Sequence, residues 1–212
     1  TLSSSSAASD VYKRQYGDYL MDKLISDGIA RGIFPGAVVC IYREGKPLFL
    51  KAYGHRMIIP QRLPMLEGTL FDLASLTKPI ATAPAIMLLE EQGRININDD
   101  VAAYLPEFAR PGISVFHLLT HTSGLPAWMP LYLEPGNRDK VVDYLGKIPL
   151  AYEPGSEVVY SCLGYIILGE LVRKVAGETL DKFTRERIFK PLGMEDTFFN
   201  PPEDRCDECA AT

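Results

Sequence analysis

A lysine opens the longest apolar stretch of the chain. Lys78 is followed by Pro79-Ile80-Ala81-Thr82-Ala83-Pro84-Ala85-Ile86 and on to Leu89, with Thr82 as the one polar interruption. Such a segment goes inside a folded chain, because burying each large apolar side chain is worth about 1.5–3 kcal/mol. It falls far short of the roughly 20 residues that a bilayer-spanning helix needs. The stretch therefore predicts a buried helix ending at Gly93. A charge at the mouth of that helix needs a partner, so the fold has to bring a polar group to Lys78.

One group is local. Ser75-Leu76-Thr77-Lys78 places a serine and a lysine one helical turn apart on the same face. A serine hydroxyl is a weak nucleophile until a neighbour takes its proton, and an ammonium desolvated in an apolar pocket gives up its own proton more readily. The helix N-terminus also favours negative charge on the serine oxygen. The same residues read equally as a Ser N-cap followed by a snorkelling lysine. About one S-x-x-K is expected by chance in a chain of this length. A second group lies downstream, where Tyr160-Ser161-Cys162 follows a short extended run and precedes a helix. There a phenol is placed to meet the pocket, and a neighbouring ammonium would stabilise its ionised form; a lone buried tyrosine is otherwise structural.

Around these residues the pattern is mixed. From Tyr16 to Arg31, Tyr16, Leu20, Leu24 and either Ile25 or Gly28 recur at helical spacing, with Asp18, Asp22, Lys23 and Asp27 on the other side. Ala37–Tyr42 and Leu48–Tyr53 flank the polar Arg43-Glu44-Gly45-Lys46 and predict a β-hairpin. Gln61–Thr69 reads as loop. Ser114 is placed to cap a helix over 115–120, and further helices are predicted over 163–175 and 179–189. An isolated hairpin is marginal in water, so more strands are expected than the chain supplies. The expected organisation is a disordered or non-native extension over 1–15 and an incomplete domain over 16–212. Within it, 16–74 holds the first helix and hairpin, 75–200 is mainly helical, and 201–212 is an irregular tail.

Composition removes several classes of function. With 22 basic against 27 acidic residues, the net charge of −5 offers no basic surface for a nucleic-acid backbone. Cys40, Cys162, Cys206 and Cys209 are too few for a disulfide scaffold. Cys206 and Cys209 have C-x-x-C spacing without a second pair or a nearby histidine, which argues against zinc. Residues 1–15 hold no apolar core that would act as a signal peptide; the compartment stays open, with the cytoplasm as the default. His121 and Ser123, two apart in a loop, do not by themselves make a triad, and no G-x-S-x-G elbow occurs. Trp128, Tyr132 and Tyr152 read either as an acyl pocket or as packing.

Phe71-Asp72-Leu73-Ala74-Ser75-Leu76-Thr77-Lys78 resembles the nucleophile segment of the serine β-lactamase-related hydrolases, which include class C β-lactamases, D-stereospecific peptidases and certain carboxylesterases. Leu118-Leu119-Thr120-His121-Thr122-Ser123-Gly124-Leu125 is similar to their L-L-x-H-T-S-G-L signature. Tyr160-Ser161-Cys162 falls where they carry Y-x-N, and Pro191-Leu192-Gly193-Met194 with Thr197 resembles P-L-G-M-x-x-T. The resemblance implies a mixed α/β (α+β) fold of the β-lactamase/transpeptidase-like kind, a helical region with an antiparallel sheet. It implies Ser75 as nucleophile, Lys78 and Tyr160 sharing the general-base work, and Cys162 at a substrate-contacting position usually held by asparagine. The activity implied is cleavage of a small ester, amide or peptide-like substrate through an acyl-enzyme, without cofactor or metal.

A thiol is a weak donor and acceptor, so Cys162 tilts the expectation toward esterase-like or peptidase-like chemistry and away from efficient β-lactam hydrolysis. The family's third motif, K-T-G or H-x-G, has no counterpart before Thr212, so the chain resembles an amino-terminal fragment. In relatives the missing part supplies central sheet strands, one wall of the cleft and an oxyanion-hole amide; losing one such donor typically reduces rate on the order of 10²–10³. The alternative expectation is a non-catalytic remnant or a domain that binds peptide-like or cell-wall-like ligands. An unpaired hairpin edge would also favour self-association.

Overall fold

The computed structural model of the protein describes residues 3–133 and 138–211, and the chain forms two compact units, Thr1–Asp72 with Pro201–Thr212, and Leu73–Asn200. The first unit opens with α1 (Ser3–Ala30). The expected extension over 1–15 is thus helical from Ser3 onward. No glycine or proline interrupts residues 1–16, and Ala7, Ala8, Lys13, Arg14 and Gln15 are compatible with a helix.

After α1 come β1 (Gly36–Arg43) and β2 (Lys46–Met57), paired antiparallel from Gly36 opposite Gly54 to Arg43 opposite Lys46. The turn is Glu44-Gly45, with φ of 52° and 73°, the pair of left-handed values that a two-residue hairpin of matching twist requires. At the other end a side chain on Gly36 would meet the His55 carbonyl at 2.5 Å, so the close approach excludes a Cβ. A third strand, β3 (Leu63–Pro64), pairs with the end of β2 inside the region expected to be loop, giving the order β1-β2-β3. Asp22 of α1 accepts hydrogen bonds from Lys51 Nζ at 2.7 Å and Tyr53 Oη at 2.6 Å. Those bonds, Lys51 first, hold the Asp22 carboxyl below the ordinary carboxylate range.

The tail is more ordered than expected. Glu203–Glu208 forms a 3₁₀ turn, and Leu70 pairs with Cys209 as an isolated parallel bridge. The thiols of Cys206 and Cys209 lie against the carbonyls of Pro202 and Arg205, and both are free.

The second unit is helical. Its apolar run is continuous but not one α-helix: a 3₁₀ turn over Ala74–Leu76 leads into a π turn over Lys78–Thr82 and then α2 (Ala83–Glu91). The prolines account for this. Pro79 and Pro84 have no N–H to donate, so neither closes an α-type bond to Ser75 or Ile80. Instead Ala83 N–H reaches the Lys78 carbonyl, the wider ring of a π turn.

Further on, α3 (Val115–Leu119) starts with a reciprocal cap in which Ser114 Oγ accepts from His117 N–H and His117 Nδ1 accepts from Ser114 N–H. Then come α4 (Arg138–Lys147), α5 (Cys162–Ala176) and α6 (Leu180–Thr184), the last extended by a π turn over Arg185–Phe189. Helix α5 packs against α2, α3, α4 and α6. It contributes Leu163, Ile167, Leu168 and Leu171 to a core that also holds Ile86, Leu89, Leu118, Leu145 and Phe183. Among the described residues no helix is long and apolar enough to cross a membrane.

Candidate active site

The N-terminal end of α5 faces the 3₁₀ and π turns, and there the four residues singled out in the sequence meet. Tyr160 Oη donates to Ser75 Oγ at 2.7 Å, and Lys78 Nζ donates to the same oxygen at 3.3 Å. Lys78 Nζ also lies 3.6 Å from Cys162 Sγ and 4.8 Å from the centre of the Tyr160 ring. The capping alternative for Ser75 is not what the structure shows. Neither the 3₁₀ turn nor the π turn has a side-chain cap, and Ser75 Oγ is engaged by Tyr160 and Lys78 instead.

Tyr160 is held by its flanking backbone. Ser161 caps α5, its Oγ accepting from Gly164 N–H and donating to the Pro126 carbonyl at 2.7 Å. Cys162 N–H bonds to the Ala127 carbonyl at 2.9 Å, and Val159 N–H to the His121 carbonyl at 2.9 Å. Residues 121–127 therefore form a rail along which 159–162 is laid. The rail is fixed from behind by Ala151 N–H on the Gly124 carbonyl and Gly155 N–H on the Thr122 carbonyl. Gly124 has φ of 79°, and a Cβ there would sit 2.3 Å from the Tyr152 carbonyl, so only glycine fits. The T-S-G part of the signature thus has a physical task, close backbone packing.

Electrostatics correct one expectation. Desolvation was to lower the pKa of Lys78; burial does pull it down and is the largest single influence, but the Tyr160 hydrogen bond and the fields of Cys162 and Tyr160 outweigh it. The net shift is upward. The pocket is too open for burial to win: Ser75 is exposed and Tyr160 is 48% exposed. Lys78 is thus held as an ammonium, whose charge favours anionic oxygen nearby. His121 is shifted the other way, below the ordinary imidazole range, by burial and then by the Lys78 charge.

Two aromatic contacts at the site are not visible in the sequence, although His121 itself stands out there as a triad candidate. Tyr165, one turn into α5, faces Lys78 Nζ at 5.6 Å from its ring centre, and the His121 ring lies tilted at 4.7 Å from that of Tyr160. A residue three beyond Cys162 on a predicted helix is the available signal for Tyr165. Of the aromatics considered for an acyl pocket, Trp128 and Tyr132 are exposed, while Tyr152 donates its hydroxyl to the His121 carbonyl. A cavity of about 660 Å³ opens beside Lys78 and Cys162, bordered also by Thr77, Tyr165 and Glu170.

The fold is that of the β-lactamase/transpeptidase-like proteins. EstCE1, a hydrolase with promiscuous acyltransferase activity, superposes with a TM-score of 0.81 at 30% identity, over 94% of this chain and 57% of its own. A class C β-lactamase in complex with cefoxitin gives a TM-score of 0.81 at 28% identity, over 93% and 55%. The chain belongs to the Beta-lactamase family, whose model matches residues 21–212. It is 37% identical to the N-acetylmuramyl-L-alanine amidase of Bacillus subtilis (strain 168), over 85% of this chain and 46% of that protein. It is 32% identical to a putative D-alanyl-D-alanine carboxypeptidase of Escherichia coli (strain K12), with the same coverages. The chain thus spans about half the length of the curated relatives it matches, and those relatives are hydrolases of the serine β-lactamase and penicillin-binding-protein type.

Proposed function

We propose that the chain carries the acylating centre of a serine hydrolase that cleaves an ester or amide bond through an acyl-enzyme on Ser75. The observation that carries this reading is the Ser75 oxygen held at 2.7 Å from a phenol and 3.3 Å from an ammonium. Tyr160, whose hydroxyl donates to Ser75 Oγ at rest, first releases its proton to solvent; its oxygen then takes the Ser75 proton as Ser75 Oγ bonds to the substrate carbonyl carbon. The proton then passes to the leaving oxygen or nitrogen as its bond to that carbon breaks. Water repeats the sequence in reverse and releases the acid. Lys78, kept charged, stabilises the negative charge that moves between the two oxygens. The base work is therefore divided: the tyrosine moves the proton and the lysine supplies the field. No cofactor enters these steps.

Cys162, against Lys78, occupies the substrate-contacting position, and its thiol favours ester or peptide-like amide substrates over β-lactams. The names of the amidase and carboxypeptidase relatives, and of the hydrolase with promiscuous acyltransferase activity, support that substrate range. A second reading, a non-catalytic remnant that binds such ligands without turning them over, is favoured by Tyr160 and Lys78 both donating to Ser75 Oγ, which leaves neither to accept the serine proton. Hydrolysis of p-nitrophenyl acetate, with intact mass recorded on the chain and on Ser75→Ala, separates the two. Turnover and an acyl adduct, both lost in the variant, support the hydrolase; a folded chain giving neither supports the remnant.

A further inference from the structure

The backbone on both sides of Tyr160 is held by a single residue. Val159 N–H donates to the His121 carbonyl at 2.9 Å, and Ser161 N–H donates to His121 Nδ1 at 3.1 Å. Between them the His121 ring lies 4.7 Å from the Tyr160 ring, and its other side meets Tyr165 at 5.1 Å. His121 thus turns both its carbonyl and its side chain toward the same short segment. His121 has φ of 60°, a conformation that residues other than glycine adopt where the surroundings enforce it.

We propose that His121 is the positioning residue for Tyr160, its unprotonated Nδ1 anchoring Ser161 so that the phenol is kept within hydrogen-bonding distance of Ser75. The inference rests on the reading of Ser75 and Tyr160 given above. The Ser161 N–H needs a lone pair at Nδ1, which places the imidazole proton on Nε2. A proton added at Nδ1 turns the acceptor into a donor facing a donor, and Ser161 must move, taking Tyr160 with it.

The titratable groups around the ring are Lys78 from the π turn, Tyr160 from the extended segment and Tyr165 from α5, while the Tyr152 hydroxyl meets the carbonyl. Burial opposes a positive charge on the ring, and the Lys78 ammonium opposes it further, so His121 stays neutral through neutral pH and the anchor fails only in acid.

The test uses His121→Asn and His121→Phe. Asparagine tolerates a left-handed backbone and offers an amide oxygen near the Nδ1 position, but does not titrate; phenylalanine keeps a ring and loses the acceptor. Acylation of Ser75 by p-nitrophenyl acetate is followed by intact mass from pH 8 to pH 5, bounds that bracket the ordinary histidine value of about 6.5. The expected result is an acid limb in the unsubstituted chain that disappears in His121→Asn, and a rate on the order of tenfold to a hundredfold lower in His121→Phe at neutral pH. A limb that persists in His121→Asn, or a His121→Phe chain that acylates at the original rate, overturns the proposal.

An activity-free measurement separates it from the hydrolase reading. The chain has 3 histidines, and NMR of their ring nitrogens should show Nδ1 of His121 unprotonated at neutral pH. The Tyr160 and Ser161 amide signals should move as that ring titrates. A protonated Nδ1, or amides indifferent to it, overturns the positioning role even where Ser75 acylates. The expected spectra from a chain that does not acylate would leave His121 in place and remove the hydrolase instead.

Discussion

Tyr160 Oη and Ser75 Oγ, 85 residues apart in sequence, stand 2.7 Å apart in the fold. The contact exists because two helical starts converge: the 3₁₀ and π turns ahead of α2 carry the serine, and the cap of α5 carries the tyrosine. Removing the phenolic oxygen alone tests what the contact does. Tyr160→Phe leaves the ring against His121 and beneath Lys78, so folding should be unchanged. Ser75 acylation by p-nitrophenyl acetate should fall about 10²–10⁴-fold, the range of a lost general base. Circular dichroism and intact mass on the same sample check both halves.

Lys78→Met keeps the length and apolar stem of the side chain while deleting its charge. Because the fold holds that charge in place rather than expelling it, acylation should drop on the order of 10²–10³-fold with no loss of melting temperature. Retained acylation would show that the field of Lys78 is dispensable.

Cys162→Asn exchanges a thiol for an amide beside Lys78. A full donor and acceptor at that position should raise turnover of a chromogenic β-lactam about tenfold, the worth of one net hydrogen bond of about 1.4 kcal/mol. An unchanged rate with nitrocefin would remove Cys162 from the specificity argument.

The first steps of the site are legible in sequence because they are local or carried by recognisable runs. Ser75 and Lys78 are one turn apart, Ser114 reads as a cap, and Glu44-Gly45 announces its hairpin. The illegible part depends on contacts across long separations or on exposure. The Ser161 bond to His121 spans 40 residues, and no periodicity reports it. The charge state of Lys78 is misread from sequence because an apolar run gives the residues on one side of the lysine, not how open the space in front of its ammonium is. The π turn has a signal in Pro79 and Pro84, but helical spacing alone cannot tell a missing donor that is tolerated from one that ends the helix.

Stability should depend on pH through His121. Its folded form binds a proton less readily than the unfolded chain does, so in the window below its ordinary value of 6.5 the unfolded state carries more protons and stability rises with pH. The contribution is complete above that value and is lost as pH falls toward and below the folded one. Urea midpoints at pH 7.5 and pH 5.5, chosen about one unit to either side of it, should differ more for the unsubstituted chain than for His121→Asn.

Leu48 and Leu50 lie two residues apart on β2, hence on one face of the hairpin, and are 39% and 45% exposed. That surface should drive self-association: size-exclusion chromatography is expected to show a concentration-dependent shift that Leu50→Lys reduces. A monomer at all concentrations would contradict it.

The π turn over Lys78–Thr82 also sets an azimuth. Each residue of an ordinary helix advances about 100° around the axis, and the wider ring accommodates one residue more than an α turn. Ala85, Ile86 and Leu89 key α2 into the core at a fixed rotation. The two prolines then index Ser75 and Lys78 against that key, as a washer of chosen thickness sets the angle at which a threaded fitting comes to rest. Were the turn to relax to regular α geometry with Ala85, Ile86 and Leu89 still seated, the serine and lysine would face about a quarter-turn away from Tyr160.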